Sequence, residues 1–222
     1  MPMSAAAEQL AQLDTAQLAA LAAALGWASG VRLYAVVFVV GALMAADLLP
    51  FAPPQGLQIL TQPAVLIASF TMLCLEFLAD KIPGLDSVWD AIHAFIRIPA
   101  GAALAAGVFG ADSATMGTVA ALLGGSLAAA SFTTKAATRL AVNTSPEPLS
   151  NIGVSLLEDG LVVGVLWLAA THPILLGVAL ALILSVSALL LWLLSRFLRT
   201  LFVRLRGFFS ARKSAAALAN LK

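Results

Sequence analysis

Charge is what this sequence has least of. Its 222 residues carry twelve Lys or Arg and eleven Asp or Glu, 10% in all, where a soluble domain carries about 25%. Hydrophobic residues make up 61%, and that balance excludes a soluble globular domain. Cysteine is nearly absent: Cys74 alone, inside an apolar run, so no disulfide framework is possible and the thiol reads as a small buried hydrophobe. A net charge of +1 and the lack of any basic stripe interleaved with aromatics leave nothing for a nucleic acid to bind. Residues 1–27 have no Lys or Arg, so the positive region that opens a signal peptide is missing. There is no Gly-x-Ser-x-Gly elbow and no phosphate-cradling glycine loop. Nucleophilic catalysis has no visible machinery, and no cofactor is expected.

What is present is a series of long apolar segments, which predicts an all-α fold: a polytopic helical membrane bundle of about six transmembrane helices, some broken or kinked. About 20 apolar residues are needed to cross a bilayer. Residues 1–27 are expected to form an amphipathic or half-helix segment, too short to cross alone, with Gly26-Trp27-Ala28-Ser29-Gly30 as a break before span one (Gly30 to Leu49). Pro50, Pro53 and Pro54 end that helix. Span two runs from Pro63, a residue suited to a first helical turn, to Asp80. Span three begins at Asp86 as N-cap and reaches Gly110, with a kink expected at Pro99 and Gly101. Span four, Thr115 to Val142, is rich in Gly, Ala and Ser, which lets helices approach closely in lipid. This suits a central packing helix or a face toward a second subunit in a homo-oligomer. Span five is Asn151 to Ala170, joined by Thr171-His172-Pro173 to span six, Ile174 to Leu198, the cleanest apolar run. The transmembrane domain is thus 28–198. The remainder, 199–222, forms a basic tail with Arg199, Arg204, Arg206, Arg212 and Lys213, expected to lie on the membrane surface. Lysine and arginine bias puts this tail in the cytoplasm, and six spans put the N-terminus there too.

The charges are not scattered. Glu76, Asp80, Lys81, Asp86, Asp90 and Arg97, with His93, fall within 22 consecutive positions flanked by apolar segments. Asp86, Asp90, His93 and Arg97 follow helical spacing on one face, with Arg97 roughly 16 Å along the helix from Asp86 at about 1.5 Å per residue. Glu76 and Asp80 share a face, as do Lys135 and Arg139. Glu158 and Asp159 enter span five from the same side, and Arg32 sits near that end of span one. Ionisable groups at membrane depth are costly and face a bundle interior or cavity, which makes them functional candidates. The expectation is a charged cavity open to the cytoplasm. In it Arg32, Arg97, Lys135, Arg139 and His93 bind substrate, and Glu76, Asp80, Asp90, Glu158 and Asp159 handle a proton or ion. Acids and bases are nearly balanced, so mutual pairing that only fixes helix register is the competing reading. A metal held by Asp86, Asp90 and His93 is disfavoured because the neighbouring arginines would repel a cation, and no metal is expected.

Two stretches carry a resemblance. Leu75-Glu76-Phe-Leu-Ala-Asp80-Lys81-Ile-Pro83-Gly84-Leu-Asp86-Ser-Val-Trp89-Asp90-Ala-Ile-His93 is one. The other is Ala-Thr-Arg139-Leu-Ala-Val-Asn143-Thr-Ser145-Pro146-Glu147-Pro148-Leu-Ser150-Asn151, followed by Glu158-Asp159. Together they resemble an uncharacterised bacterial integral-membrane family, catalogued only as a domain of unknown function (number four-one-two-six). The resemblance implies a multi-pass protein of the bacterial inner membrane and brings no substrate, activity or catalytic residue. On the residues themselves, the expected function is a small transporter or channel-like protein for an unknown substrate, such as a small anion, coupled to protons. A lipid-binding or lipid-modifying protein, with His93 and Asp90 as acid and base, and a purely structural membrane protein are the alternatives. The lipid bilayer is the one partner that composition implies.

Overall fold

The computed structural model describes residues 13–82, 84–110, 113–142, 148–193 and 195–196. Their regular structure is all helical, with no strand among the described residues. Helix α1 is Thr15–Ala45, and α2 is Pro63–Ala79, preceded by a short 3-10 helix at Gln55–Thr61. Helices α3 (Leu85–Phe109), α4 (Ala114–Val142), α5 (Pro148–Thr171) and α6 (Pro173–Leu193) follow. Five helices (α1 and α3 to α6) are long and apolar enough to cross a membrane. The 3-10 helix and α2 meet at 69° and together make a sixth, broken span or a re-entrant element.

Helix α1 differs from expectation. Asp14 caps it: the Asp14 carboxylate accepts from the Gln17 backbone N–H at 2.7 Å, and the Gln17 side chain accepts from the Asp14 N–H at 2.8 Å, a reciprocal capping box. The helix then runs straight through Gly26–Gly30, where a break was expected. Its non-helical residue is Arg32, at φ −145° and ψ 71°. Gly26 and Gly30 are not turn formers but places where α4 comes close. A Cβ on Gly26 would lie 2.5 Å from the Gly124 Cα, and one on Gly30 would collide with the Ala128 carbonyl and the Ser131 hydroxyl. In a bilayer, where no hydrophobic effect drives helices together, such approaches supply the packing. The N-terminal half-helix and span one are therefore one 31-residue element bent in its middle.

Helix α3 starts one residue earlier than expected. Gly84, at φ 88°, is its N-cap, a conformation that suits glycine, and Asp86 lies inside the first turn. The Asp86 carboxylate reaches back to the Gly84 N–H at 2.9 Å and also accepts from the Ser87 N–H at 2.7 Å. The helix continues through Pro99 and Gly101. Gly101 is a contact point instead, since a Cβ there would lie 2.7 Å from the Ala128 Cβ. Helix α4 packs its small residues against α1 and α3, but the central helix is α1, which also contacts α2, α5 and the 3-10 helix. The described core is formed by α1 with parts of α3, α4, α5 and the start of α6, including Leu25, Val36, Ala105, Val165 and Leu176.

Contacts divide the chain into Met1–Leu184 and Ser185–Lys222. In the second unit the Arg196 guanidinium lies 5.5 Å from the centre of the Trp192 ring. The basic tail beyond it, 199–222, and the Asn143–Glu147 turn lie outside the described residues.

Candidate functional site

Four helices place their charged ends on one side of the bundle, and the break in α1 brings Arg32 to the same level. The ends concerned are the end of α2, the start of α3, the end of α4 and the first half of α5. The helical spacings foreseen in the sequence hold. Asp86, Asp90, His93 and Arg97 all lie on the buried face of α3, and Lys135 and Arg139 on that of α4. What they form, however, is not an open vestibule. Arg32, Arg97, Glu76, Asp80 and Asp86 have no exposed surface, Arg139 has 1% and Asp90 2%. The charges are packed against one another in an otherwise apolar interior.

Arg32 is the hub. Its guanidinium pairs with Asp80, lies 2.9 Å from Asp159 Oδ1, and approaches Glu158 at 3.7 Å and Glu76 at 3.8 Å. Its Nη2 also donates to the Ser155 hydroxyl at 2.6 Å. Arg97 bridges Glu76 at 2.6 Å and Asp90 at 2.7 Å. Lys135 lies between Asp90 (3.2 Å), Glu76 (3.5 Å) and Glu158 (3.7 Å). Arg139 meets Glu158 at 2.8 Å, Asp80 at 3.4 Å and Asp86 at 3.8 Å. Each cation therefore faces at least two carboxylates, and Arg32 faces four.

The backbone break takes part in this arrangement. A residue off helical geometry releases backbone groups that cannot remain unpaired in lipid. The Val31 carbonyl accepts from the Lys135 ammonium at 3.1 Å, and one turn earlier the Trp27 carbonyl accepts from the Ser131 hydroxyl at 2.7 Å. The distortion that delivers Arg32 to the cluster is held by the same helix that supplies two of the other three cations.

Not every expected residue joins in. His93 is buried but belongs to an aromatic group. Its Nδ1 lies 2.7 Å from the Trp89 carbonyl, its ring stacks on Trp89 at 4.2 Å, and Tyr34 meets it edge-on at 5.7 Å. Lys81 turns away and places its ammonium 3.0 Å over the Phe77 ring. Among the described residues no three His, Cys, Asp or Glu side chains converge as metal ligands. Cys74, read as buried, is exposed. Ser155 was not singled out, although its spacing to Glu158 and Asp159 (i+3 and i+4) puts all three on one face of α5.

Charge does not balance. Arg32, Arg97, Lys135 and Arg139 are met by Glu76, Asp80, Asp86, Asp90, Glu158 and Asp159, six acids to four bases. Among the described residues, Glu76, Asp80, Asp90 and Glu158 each touch two or three of the cations, whereas Asp86 pairs with Arg139 and Asp159 with Arg32. Asp159 is also the exposed member of the network, its side chain 34% accessible. It opens onto a cavity of about 520 Å³ between α1, α2 and α5, lined by Arg32, Val39, Cys74, Phe77, Leu78 and Val163 among others.

Apolar spans wrapped round a buried ionic network define a multi-pass helical membrane protein. Residues 19–196 match the model of a family described as a domain of unknown function (DUF4126), and the chain belongs to that family. No curated protein and no solved structure matches it.

Proposed function

We propose that this protein is a small transporter or channel-like protein of the bacterial inner membrane, with both termini cytoplasmic, in which the buried network handles protons. The observation that carries this reading is the surplus of acid: six carboxylates, Asp86 included, share four cations, and all of them but Asp159 are nearly shut off from water. An uncompensated charge in an apolar interior is too costly to leave bare, so the network is completed by a proton or by a cation. Loading and unloading that partner changes which carboxylate each cation holds, and those carboxylates belong to α2, α3 and α5. A proton event is thereby linked to helix contacts, which is what coupling requires.

The same geometry bears on the substrate. Arg32, Arg97, Lys135 and Arg139 are already engaged by two or more carboxylates each, so a small anion would bind only after a carboxylate is neutralised. A cation or a proton meets no such barrier. Acid–base chemistry between His93 and Asp90 is not favoured, because Asp90 is engaged by Arg97 and Lys135 while His93 packs with Trp89 and Tyr34. A lipid-binding role draws its support from the apolar cavity alone.

The test is proton flux. The purified protein is reconstituted into liposomes containing a pH-sensitive dye, and a potassium diffusion potential is imposed. The wild type is expected to acidify the lumen faster than empty liposomes. Glu158→Gln, which keeps the shape and removes a charge shared by three cations, is expected to abolish the flux while remaining helical and monodisperse. A wild-type rate equal to that of empty liposomes sinks the transport reading, and an unchanged rate in Glu158→Gln removes Glu158 from the path.

A further inference from the structure

We infer that the cavity between α1, α2 and α5 binds an amphipathic organic cation, an apolar body bearing an amine or onium group whose charge meets Asp159. The inference rests on the reading of the network as short of positive charge, and it names the substrate class for that site. Three observations support it. The cavity, about 520 Å³, falls within the range of about 300–1,000 Å³ typical of small-molecule sites. Its walls are apolar: Val39 from α1, Leu73, Phe77 and Leu78 from α2, and Val162 and Leu166 from α5. Leu78 and Val163 are more than half exposed, so in membrane spans the walls continue into surface that faces lipid, the phase from which an amphipathic molecule would enter.

The floor supplies the charge. Only Arg32 and Asp159 bring charge to the lining. Arg32 is fully buried beneath four carboxylates and offers no net positive charge outward. Among the described residues Asp159 has one cation within ion-pair distance, Arg32, and it keeps a third of its side chain accessible. An apolar slot ending on a carboxylate that belongs to an acid-rich network complements a hydrophobic cation. It opposes a fatty acid or an anionic headgroup, which would bring like charge to Asp159.

Cys74 makes the inference measurable, because the chain's one cysteine lines this cavity and is exposed. The full-length protein in lipid nanodiscs is labelled with a membrane-permeant maleimide, with and without tetraphenylphosphonium. The expected result is at least fivefold slower labelling of Cys74 with the cation. Protection is expected to be lost in Asp159→Asn, retained in Asp159→Glu, and absent in Val163→Trp, which fills the slot and leaves the network intact. Tetraphenylmethane, the same shape without charge, is expected to give no protection. Unchanged labelling with the cation overturns the inference. So does equal protection by the neutral analogue, or protection that survives in Asp159→Asn; both mean that the cavity takes apolar chains only. Proton flux is scored separately. Flux without protection removes this ligand class alone, whereas protection without flux keeps the site and removes the transporter reading.

Discussion

Helices α3 and α4 each divide into two halves that solve the same problem differently. Along the buried face of α3 the order is Asp86, Asp90, His93, Arg97, then Gly101, Leu104, Ala105 and Val108. Along α4 it runs the other way: Gly117, Ala120, Gly124 and Ala128, then Ser131, Lys135 and Arg139. At the small-residue end the backbones nearly touch, and a Cβ on Gly124 would lie 2.9 Å from the Gly101 carbonyl. At the ionic end the space is filled by long side chains reaching across to carboxylates on α2, α3 and α5. Lipid cannot push helices together as water does. One half therefore uses van der Waals contact between backbones, and the other uses charge pairs whose strength depends on exclusion of water. The first half has no titratable group and a single arrangement. The second is built almost wholly of titratable groups.

Removing the hub of the ionic half is expected to have the largest effect. Arg32→Met leaves Asp80 and Asp159 without their nearest cation, and breaking one partner of a buried ionic group typically costs about 3–5 kcal/mol. Thermal unfolding in mild detergent is expected to show a lower midpoint and less monodisperse protein than wild type. In the other half, Gly124→Leu forces a side chain into the Ala105 methyl and the Gly101 backbone. Overpacking costs about 1–3 kcal/mol, more where backbone must move. Should Gly124→Leu prove the more damaging in the same assay, the close-packed half carries the stability and the ionic half is free to serve function at little structural cost.

Much of this was legible from the chain. Helical spacing alone aligned Asp86, Asp90, His93 and Arg97, and paired Lys135 with Arg139, because a 3.6-residue period fixes which side chains share a face. The small residues of α4 announced a closely packed helix, although the central one proved to be α1. Local pattern failed where tertiary contact overrode it. Gly26 and Gly30 look like a break, but glycine serves a close approach as readily as a turn, and only the position of Gly124, nearly a hundred residues away, decides between them. The real break, at Arg32, bears no Gly or Pro signature; it is stabilised from outside by Lys135, Ser155 and four carboxylates. The cavity was invisible for a related reason, since Val39, Phe77 and Val163 read simply as lipid-facing apolar residues until three helices are set side by side.

Within the ionic half, the carboxylates are expected to differ according to how many cations they serve. Asp90→Asn removes a charge that Arg97 and Lys135 both use and should destabilise clearly. Asp159→Asn removes a surplus charge from a partly exposed position and leaves Arg32 with three other acids, so its cost is expected to stay within about 1 kcal/mol, as for exposed pairs. Comparing the two midpoints tests the surplus-acid argument directly. If Asp159→Asn is the more destabilising, Asp159 is structural and the network has no spare charge.

The smallest effect is expected outside both halves. Lys81 belongs by sequence to the charged stretch, but its ammonium rests over Phe77 and has no place among the network's ion pairs. A cation over an aromatic face at a partly exposed site contributes about 0.5–1 kcal/mol at most, and surface changes away from packed features usually stay within about 0.5 kcal/mol. Lys81→Ala should therefore unfold within about a degree or two of wild type, given that 1 kcal/mol moves the midpoint by about 2–4 °C in a chain of this size. A fall as large as that of Arg32→Met would place Lys81 inside the ionic half. The charge count would then narrow to five bases against six acids, and the case for a bound proton or cation would lose much of its ground.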